Sequence, residues 1–328
     1  MGEVIRTPFC DLLSLDVPIM CAPFGPWDEV DLAAAVCNAG GLGSLGTAVR
    51  PLEDLERQWR RLRTLTDRPF AVNHTMRPFD EEAFEATLAA RPAAISFHIG
   101  VPADLIARAH DAGIVWIQQV IDASQALAAL DAGADVVVAQ GGEAGGHGGN
   151  VATMVLVPQV VALAGSTPVL AAGGVAGGAG LAAALALGAQ GVNMGTRFLA
   201  STEMAISPAW KERIVAATAD DAVKVANSER IMPPYSRPVA ATAPRALRTP
   251  LTDALAADPD RIDAAEVGPA FLAGVLSGGG DQYLPFAGQS AALIDEVLPA
   301  GEIVHRTISE AVAALRRASA HCQAQPPV

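Results

Sequence analysis

Residues 135–149 read DVVVAQGGEAGGHGG, an apolar run that leads into glycines grouped around one carboxylate and one imidazole. The run 135–139 has the composition and length of a buried parallel strand. So many glycines serve backbone conformations and close approaches that a side chain would block. A flexible loop with an incidental histidine would not need a buried strand leading into it. We therefore interpret His147 as the titratable group that this loop presents to a ligand.

The same unit recurs on both sides of this loop: a short apolar run, a turn, and an amphipathic stretch rich in Ala and Leu. Such alternation is typical of a parallel sheet covered by helices. Helices are predicted at about 28–39, 51–65, 80–90, 102–111, 123–131, 153–164 and 177–187. Strands are predicted at 17–22, 41–46, 70–74, 93–99, 113–120, 134–140, 168–174 and 191–198. The pattern predicts an α/β protein, a (β/α)₈ TIM barrel. A doubly wound sheet is the weaker alternative, because no Gly-x-Gly-x-x-Gly follows the first strand.

The alternation stops after residue 218. Residues 220–250 are proline-rich and irregular, with MPPY at 232–235 and RP at 237–238. Residues 259–280 are expected to form a small helical cap that closes over the barrel mouth. Long segments of this kind in a compact domain are usually functional. We expect a cofactor-binding barrel made of 1–218 and 285–328, and an irregular or mainly helical cap or lid at 219–284.

Composition excludes several classes of partner. A formal net charge of −13 and a pI near 4.8 disfavour nucleic acid and anionic membrane surfaces, which require basic proteins. The N-terminus lacks the pattern of a signal peptide, and the apolar stretch 181–188 is too short to span a bilayer. The scattered cysteines lack metal-ligand spacing, so we expect reduced thiols, no metal site and a cytoplasmic protein. They are Cys10, Cys21, Cys37 and Cys322.

Polar residues stand near the carboxyl ends of the predicted strands, where a TIM barrel builds its active site. We expect them to converge on one mouth and to suit a planar heteroaromatic cofactor. Taken singly, each would be read as a satisfied hydrogen bond at a strand end. They are Asn73, His74, His98, Gln118, Gln119, Gln140, Asn193, Thr196 and Arg197.

Two glycine-bearing strand ends in succession indicate a phosphate site. Residues 168–175 read PVLAAGGV and residues 193–198 read NMGTRF. Main-chain N–H groups after the last two strands of a barrel, together with a helix N-terminus, commonly hold a phosphate. The predicted donors are Gly173, Gly174, Gly195 and Thr196. Flavin mononucleotide suits a barrel better than a dinucleotide does, so FMN is the predicted cofactor. Gly177, Gly178 and Gly180 are better explained by close helix packing.

Three of these stretches together resemble the nitronate monooxygenase family: QGGEAGGH at 140–147, AAGG at 171–174 and NMGTRF at 193–198. Supporting similarity lies at 67–73, 95–100 and 285–290, and the resemblance extends over about 16–214 and 271–315. It implies an FMN-dependent barrel that uses O2 to convert alkyl nitronates to carbonyl compounds and nitrite without a nicotinamide reductant. A nitronate and O2 are then the expected partners, and a homodimer is a possible assembly.

The resemblance also implies roles for single residues. His147 matches the catalytic histidine, and a group with an ordinary pKa near 6.5 can take a nitroalkane α-proton or, protonated, steady a nitronate. Phe24, His98 and Gln119 are candidates for the substrate pocket. Implied flavin contacts are Ala22, Pro23, Phe24, Asn73, Gln140 and Gly145, and implied phosphate contacts are Gly174, Asn193, Met194, Gly195 and Thr196.

Two other functions remain open. One reason is a departure from the family pattern: some members carry a lysine near the end of the fifth strand, where this chain has Gln118-Gln119-Val120. A flavin-dependent enoyl-acyl-carrier-protein reductase, which would use NADPH, shares the EAGGH and GTRF stretches, and 152–161 resembles it at least as well. The stretches SFHIG at 96–100 and FAGQS at 286–290 favour the monooxygenase. A catalytically silent flavin-binding protein is the third hypothesis, and the intact His147 argues against it.

Overall fold

The computed structural model describes residues 4–76, 79–232 and 242–322. Within them, a sheet of eight parallel strands runs in the spatial order β1-β9-β8-β6-β5-β4-β3-β2. Leu42 closes the ring, because it forms a parallel bridge with Met20 of β1 just before β2 begins. The predicted TIM barrel is confirmed. Its strands are β1 (Ile19–Cys21), β2 (Gly43–Gly46), β3 (Phe70–Thr75), β4 (Ala94–His98), β5 (Val115–Val120), β6 (Val136–Gln140), β8 (Val169–Ala172) and β9 (Gly191–Met194), and β7 (Gly146–Gly148) lies outside the ring.

Helices fill the connections between these strands, and α2 to α8 begin and end within two residues of the predicted positions. The helices are α1 (Pro8–Leu13), α2 (Val30–Asn38), α3 (Leu52–Leu65), α4 (Glu81–Ala90), α5 (Ala103–Asp111), α6 (Ala123–Asp131), α7 (Thr153–Ala164), α8 (Gly178–Ala186), α9 (Thr196–Leu199), α10 (Pro208–Ala216), α11 (Pro250–Ala257), α12 (Ala264–Leu276) and α13 (Ala300–Ser319). A Cβ on Gly178 would collide with the main-chain nitrogen of Ala311. α8 can therefore pack directly on α13 only because residue 178 has no side chain, as expected for a packing glycine.

The predicted strand at 191–198 is wrong in its second half. β9 ends at Met194, and Thr196–Leu199 form the short helix α9. Gly195 has φ −105° and ψ −77°, which turns the chain out of the extended conformation. The sequence misled here because the apolar residues Phe198 and Leu199 fit the pattern of a strand and that of a helix equally well.

One end of the barrel is plugged. Alternate strand positions point inward, and inward residues such as Met20, Ile117 and Leu170 form one buried cluster with Phe9 and Leu13 of α1. α1 therefore covers this end of the barrel, and space for a ligand is left at the opposite end, where the strands finish.

Residues 219–284 contain strands as well as helices. β10 (Ala222–Lys224) pairs antiparallel with β11 (Ala243–Leu247), and β11 pairs antiparallel with β7 of the glycine loop. Irregular or helical structure is expected here from the sequence, and the pattern gives no sign of this sheet because β7 is almost entirely glycine and β11 contains a proline. Residues 233–241, including most of the MPPY and RP stretches, lie outside the described residues. The division into barrel and cap stays a prediction.

Buried His74 makes the stability of the fold depend on pH. Its ring lies between the hydroxyls of Thr47 (3.2 Å) and Thr87 (2.9 Å), and burial lowers the pKa of His74 to about 3. An unfolded histidine titrates near pH 6.5. The stabilising contribution of neutral His74 is therefore complete above pH 6.5 and is lost as the pH falls toward 3, by about 1.4 kcal/mol per pH unit.

His74→Asn removes this titration. We expect the variant to be less stable than the wild type at pH 7, but to lose about 2 kcal/mol less free energy of unfolding between pH 6.5 and pH 5. Urea unfolding at both pH values measures the difference. Equal losses in the two proteins would contradict the assignment.

Two features are absent from the described part of the chain. None of its helices is both long and apolar enough to cross a bilayer. It also holds no group of three or more His, Cys, Asp or Glu side chains placed to bind a metal ion.

Candidate active site

A cavity of about 290 Å³ lies at the carboxyl ends of the barrel strands. Most of the predicted site residues meet there, contributed by β1, β3, β4, β5, β6, β8, β9 and the loops that follow them. Gly174 lies in the turn after β8, and the Met194 side chain is buried in the core; neither lines the cavity. The predicted residues that do line it are Ala22, Pro23, Phe24, Asn73, His98, Gln119, Gln140, Gly145, His147, Gly173, Asn193, Gly195 and Thr196.

Three polar residues near the strand ends do not reach this mouth. His74 follows Asn73 and Gln118 precedes Gln119, and neighbours along a strand point to opposite faces. Gln118 is fully buried, where its side chain bonds the Trp116 indole N–H (3.0 Å) and the Gly100 carbonyl (2.9 Å). Arg197 donates to the carbonyls of Ala200 and Glu296. The expectation that every polar strand end converges is wrong at these positions.

The strand β7 holds His147 in place. Its backbone pairs with β11, with His147 opposite Pro244. Lys224 donates to the Gly148 carbonyl (3.0 Å), and Arg245 donates twice to the Gly142 carbonyl (2.8 and 3.2 Å). Burial, with the charge of Arg245, lowers the pKa of Lys224 to about 8. The glycine loop is thus an ordered element bound to the segment that follows the barrel strands.

The far side of the glycine loop touches residues 287–289. A Cβ on Gly145 would lie 2.6 Å from the nitrogen of Gly288, and a Cβ on Gly288 would lie 2.7 Å from the nitrogen of Gly145. The Gly288 N–H donates to the Thr196 hydroxyl (2.9 Å), and the Gln289 N–H donates to the Glu143 carbonyl (2.9 Å). Neither glycine can carry a side chain without separating the two segments.

Glu143, the single carboxylate of the loop, has a structural role. It accepts hydrogen bonds from the N–H of Thr153 (3.0 Å) and from its hydroxyl (2.8 Å), at the first residue of α7. Carboxylates are favourable at helix N-termini, where N–H groups lack intrahelical partners. Glu143 therefore fixes the loop to α7 and is not among the cavity-lining residues.

Two buried acceptors on the cavity wall are unsatisfied. The side-chain oxygens Oε1 of Gln140 and Oδ1 of Asn193 have no hydrogen-bond partner within the described residues. Gln140 ends β6 and Asn193 lies on β9, and both line the cavity. A buried acceptor without a donor is destabilising by about 1–3 kcal/mol. A ligand that carries N–H or O–H groups would satisfy both.

His147 has aromatic neighbours in the cavity. The His98 ring lies 6.1 Å away between centroids, and the His98 Nε2 is 3.4 Å from the His147 carbonyl oxygen. The Phe286 ring lies 6.4 Å from the imidazole on another side. The imidazole is therefore half-buried between a polar and an apolar ring.

An apolar wall lies opposite the strand ends, and although a helical cap over the mouth was expected from the sequence, none of the residues that form this wall was predicted. Phe271, Leu272 and Val275 of α12 line the cavity with Trp27 and Met232. The Trp27 indole N–H donates to the Val275 carbonyl at 2.7 Å, which ties the loop after β1 to α12. The apolar periodicity of α12 was visible in the sequence. Which of its side chains face the cavity depends on tertiary contacts that no local pattern encodes.

Glu29 is a buried carboxyl beside the first cavity loop. Its Oε2 accepts from the Gly46 N–H (3.0 Å), yet burial raises the pKa of Glu29 well above its ordinary value, and the charge of Arg50 offsets this only in part. A carboxyl with a raised pKa stabilises the fold at low pH, and the contribution is lost as the pH rises through the folded pKa.

Glu29→Gln keeps the shape and cannot ionise. We expect its stability relative to the wild type to increase between pH 5 and pH 9, and urea midpoints at pH 5, 7 and 9 measure this trend. A constant difference across the three pH values would show that the pKa of Glu29 is not raised in the folded protein.

Comparison with known proteins places these features in a family. The family model described as nitronate monooxygenase matches residues 6–87 and 74–310. A nitronate monooxygenase of Paraburkholderia phytofirmans is 33% identical over 365 aligned positions, which cover 93% of this chain and 96% of that protein.

Two further relatives differ in name. A (3aS,4S,5R,7aS)-5-hydroxy-7a-methyl-1-oxo-octahydro-1H-indene-4-carboxyl-CoA dehydrogenase of Mycobacterium tuberculosis is 39% identical over 222 residues, 67% of this chain. The match spans 62% of that protein's length. The solved structure of FabK from Thermotoga maritima superposes with a TM-score of 0.85 at 34% identity, covering 97% of this chain and all of that one.

Proposed function

The chain belongs to the nitronate monooxygenase family, and from this membership we propose that it is an FMN-dependent enzyme that oxidises alkyl nitronates with O2 to carbonyl compounds and nitrite. One observation carries the proposal: His147 lines the cavity at the carboxyl ends of the barrel strands, and the unsatisfied acceptors of Gln140 and Asn193 line the same cavity. The cavity thus combines a proton-transferring group with two groups that require a donor-bearing ligand.

The residues present suit FMN. Its ring system carries an N–H that a buried amide oxygen can accept, and Gln140 and Asn193 supply such oxygens. Gly173 and Gly174 have φ values of +94° and +74°, a conformation that glycine adopts readily, and they offer main-chain N–H groups to a phosphate without a side chain. Gly195 and Thr196 stand at the neighbouring strand end. Bound there, FMN would supply the redox chemistry that couples nitronate oxidation to O2.

His147 would act on the proton and the charge of the substrate. A neutral imidazole can accept the α-proton of a nitroalkane, and an imidazolium can stabilise the negative charge of a nitronate. Pairing of β7 with β11 fixes the direction of the ring, which is the requirement for a positioned acid or base. The apolar residues of α12 would exclude water from the same space.

The buried acceptors can be tested by cofactor retention. Because one lost hydrogen bond to a ligand is worth about 1 kcal/mol, Gln140→Ala and Asn193→Ala are each expected to weaken FMN binding by about 5- to 10-fold. Quenching of FMN fluorescence on titration into the apoprotein measures this. Gln159→Ala, on the exposed face of α7, is the matched control. Unchanged affinity for FMN in both variants would show that the flavin ring does not bind to these two side chains.

An acyl-thioester oxidoreductase is the second candidate. It is favoured by the name of the Mycobacterium tuberculosis relative, a dehydrogenase of a carboxyl-CoA compound, and by the apolar wall of α12. In that case a nicotinamide or the thioester would exchange electrons with the flavin.

The possible homodimer and the cytoplasmic location stay predictions.

Oxygen consumption decides between the two. The FMN-loaded protein is given ethylnitronate in air without NAD(P)H, and O2 uptake and nitrite are followed together. Rapid uptake with nitrite release supports the monooxygenase. No uptake, combined with bleaching of the flavin by NADPH under nitrogen and its reoxidation by an enoyl thioester, would overturn it in favour of the second candidate.

A further inference from the structure

We propose that the substrate carries an apolar chain or ring, which packs on the α12 side of the cavity, and no charge at its far end. This inference rests on the proposed function and names the substrate class for it. It starts from the unequal walls of the cavity. Strand-end residues such as Gln119, Gln140 and Asn193 form one side, and α12 with its neighbours forms the other.

The apolar wall consists of large side chains. They are Trp27, Met232, Phe271, Leu272 and Val275, all of which line the cavity. Trp27 is 5% exposed, Phe271 4% and Val275 6%, so these side chains are already packed by the protein. Such a surface binds hydrocarbon, because apolar area leaves water and no ordered polar group loses its partners.

The wall is held in position before any substrate arrives. Trp27 packs edge-on against Trp210 with centroids 5.2 Å apart, and its indole N–H bonds α12. Phe271 packs edge-on against Tyr283 (6.3 Å) and Phe286 (6.4 Å). A surface ordered in this way loses little conformational entropy on binding, which favours affinity.

Phe286 connects this wall to the reactive group. Its ring lies 6.4 Å from Phe271 on one side and 6.4 Å from His147 on the other. A molecule whose nitro-bearing carbon stands beside His147 would therefore extend its remaining carbons past Phe286 onto α12. The His147 end of the cavity would bind the nitro-bearing end of the substrate, and the α12 end would bind its hydrocarbon chain.

A charge at the far end would oppose binding. Among the described cavity-lining residues there is no Lys, Arg, Asp or Glu. A carboxylate placed against Phe271 and Leu272 would lose water without gaining an ion pair, which is strongly unfavourable. By contrast, each methylene buried on the wall is expected to raise binding by up to about fourfold.

Matched substrates test this with the FMN-loaded protein. Nitronates of 1-nitropropane, 1-nitrohexane and 6-nitrohexanoate are compared by kcat/KM for O2 uptake. We expect an increase of about tenfold or more from the propyl to the hexyl compound. We also expect a decrease of about tenfold or more when the carboxylate is added.

A matched pair of variants locates the effect. Leu272→Lys places a cation on the wall and is expected to reverse the preference in favour of 6-nitrohexanoate. Leu276→Lys lies one turn further along α12, is 50% exposed and does not line the cavity, so it should leave the preference unchanged. The same shift in both variants would overturn the assignment to the wall.

A binding measurement separates this inference from the proposed function. Calorimetric titration of the anaerobic wild-type holoprotein with neutral 1-nitrohexane, 1-nitropropane and 6-nitrohexanoate needs no turnover. Absence of turnover with every nitronate, together with tight binding of 1-nitrohexane, would refute the nitronate activity and retain the apolar substrate class. Equal affinities, or tighter binding of the carboxylate, would refute the substrate class even if nitronates are oxidised.

Discussion

His147→Ala is expected to lower kcat/KM for alkyl nitronates by about 10²- to 10⁴-fold, the range that a positioned acid or base contributes. The protein should still bind FMN, because the buried acceptors of Gln140 and Asn193 and the glycine turn after β8 are untouched. Steady-state oxygen uptake gives the rate, and the flavin absorbance of the purified protein gives the occupancy.

His305→Ala is the matched control for this loss. His305 is exposed on α13, so the same substitution there should leave both rate and flavin content unchanged. Full activity of the His147→Ala protein would show that the imidazole takes no part in the reaction. A protein that loses activity only in proportion to its flavin would show that His147 serves cofactor binding instead.

Gly145→Ala is expected to lower kcat/KM by about 10²-fold, the scale of a displacement near 1 Å in an active site. The new Cβ would lie 2.6 Å from the nitrogen of Gly288 and 2.7 Å from the carbonyl carbon of Ala287, and both are main-chain atoms that cannot rotate away. The two segments must separate, and His147 moves with the loop. The free energy of unfolding should fall by about 1–3 kcal/mol, as for other overpacked sites.

Gly301→Ala provides the comparison for Gly145→Ala. Gly301 lies in the first turn of α13, where a Cβ would meet only the Cβ of Ala39 at 3.9 Å. Activity should stay at the wild-type level, and stability should stay equal or rise slightly. If Gly145→Ala were as active as this control, the contact between 145 and 288 would not position the histidine.

The sequence predicted the barrel and the composition of the strand-end side of the cavity, because both depend on local patterns. Buried parallel strands are marked by apolar runs such as 136–139, and the helices from α2 to α8 are marked by their periodicity. Residues at the carboxyl ends of neighbouring parallel strands meet whatever the details of packing, so Asn73, Gln140 and Asn193 reached one mouth.

What the sequence did not predict depends on contacts between distant segments. The direction of Gln118 follows from a strand register that is fixed only in the folded sheet. The role of Glu143 depends on the position of Thr153, and the apolar wall depends on where α12 comes to lie. β7 has no residue type that favours a strand, and it forms a strand because β11 pairs with it.

The pairing of β7 with β11 has a consequence for how such enzymes diverge. Its hydrogen bonds join main-chain atoms, which every substitution except proline leaves intact, whereas the surface offered to the substrate comes from the side chains of α12. Mutations in α12 can therefore accumulate without moving the histidine. A lineage that carries this arrangement can exchange one substrate for another by drift in a single helix, while natural selection keeps the reaction centre constant.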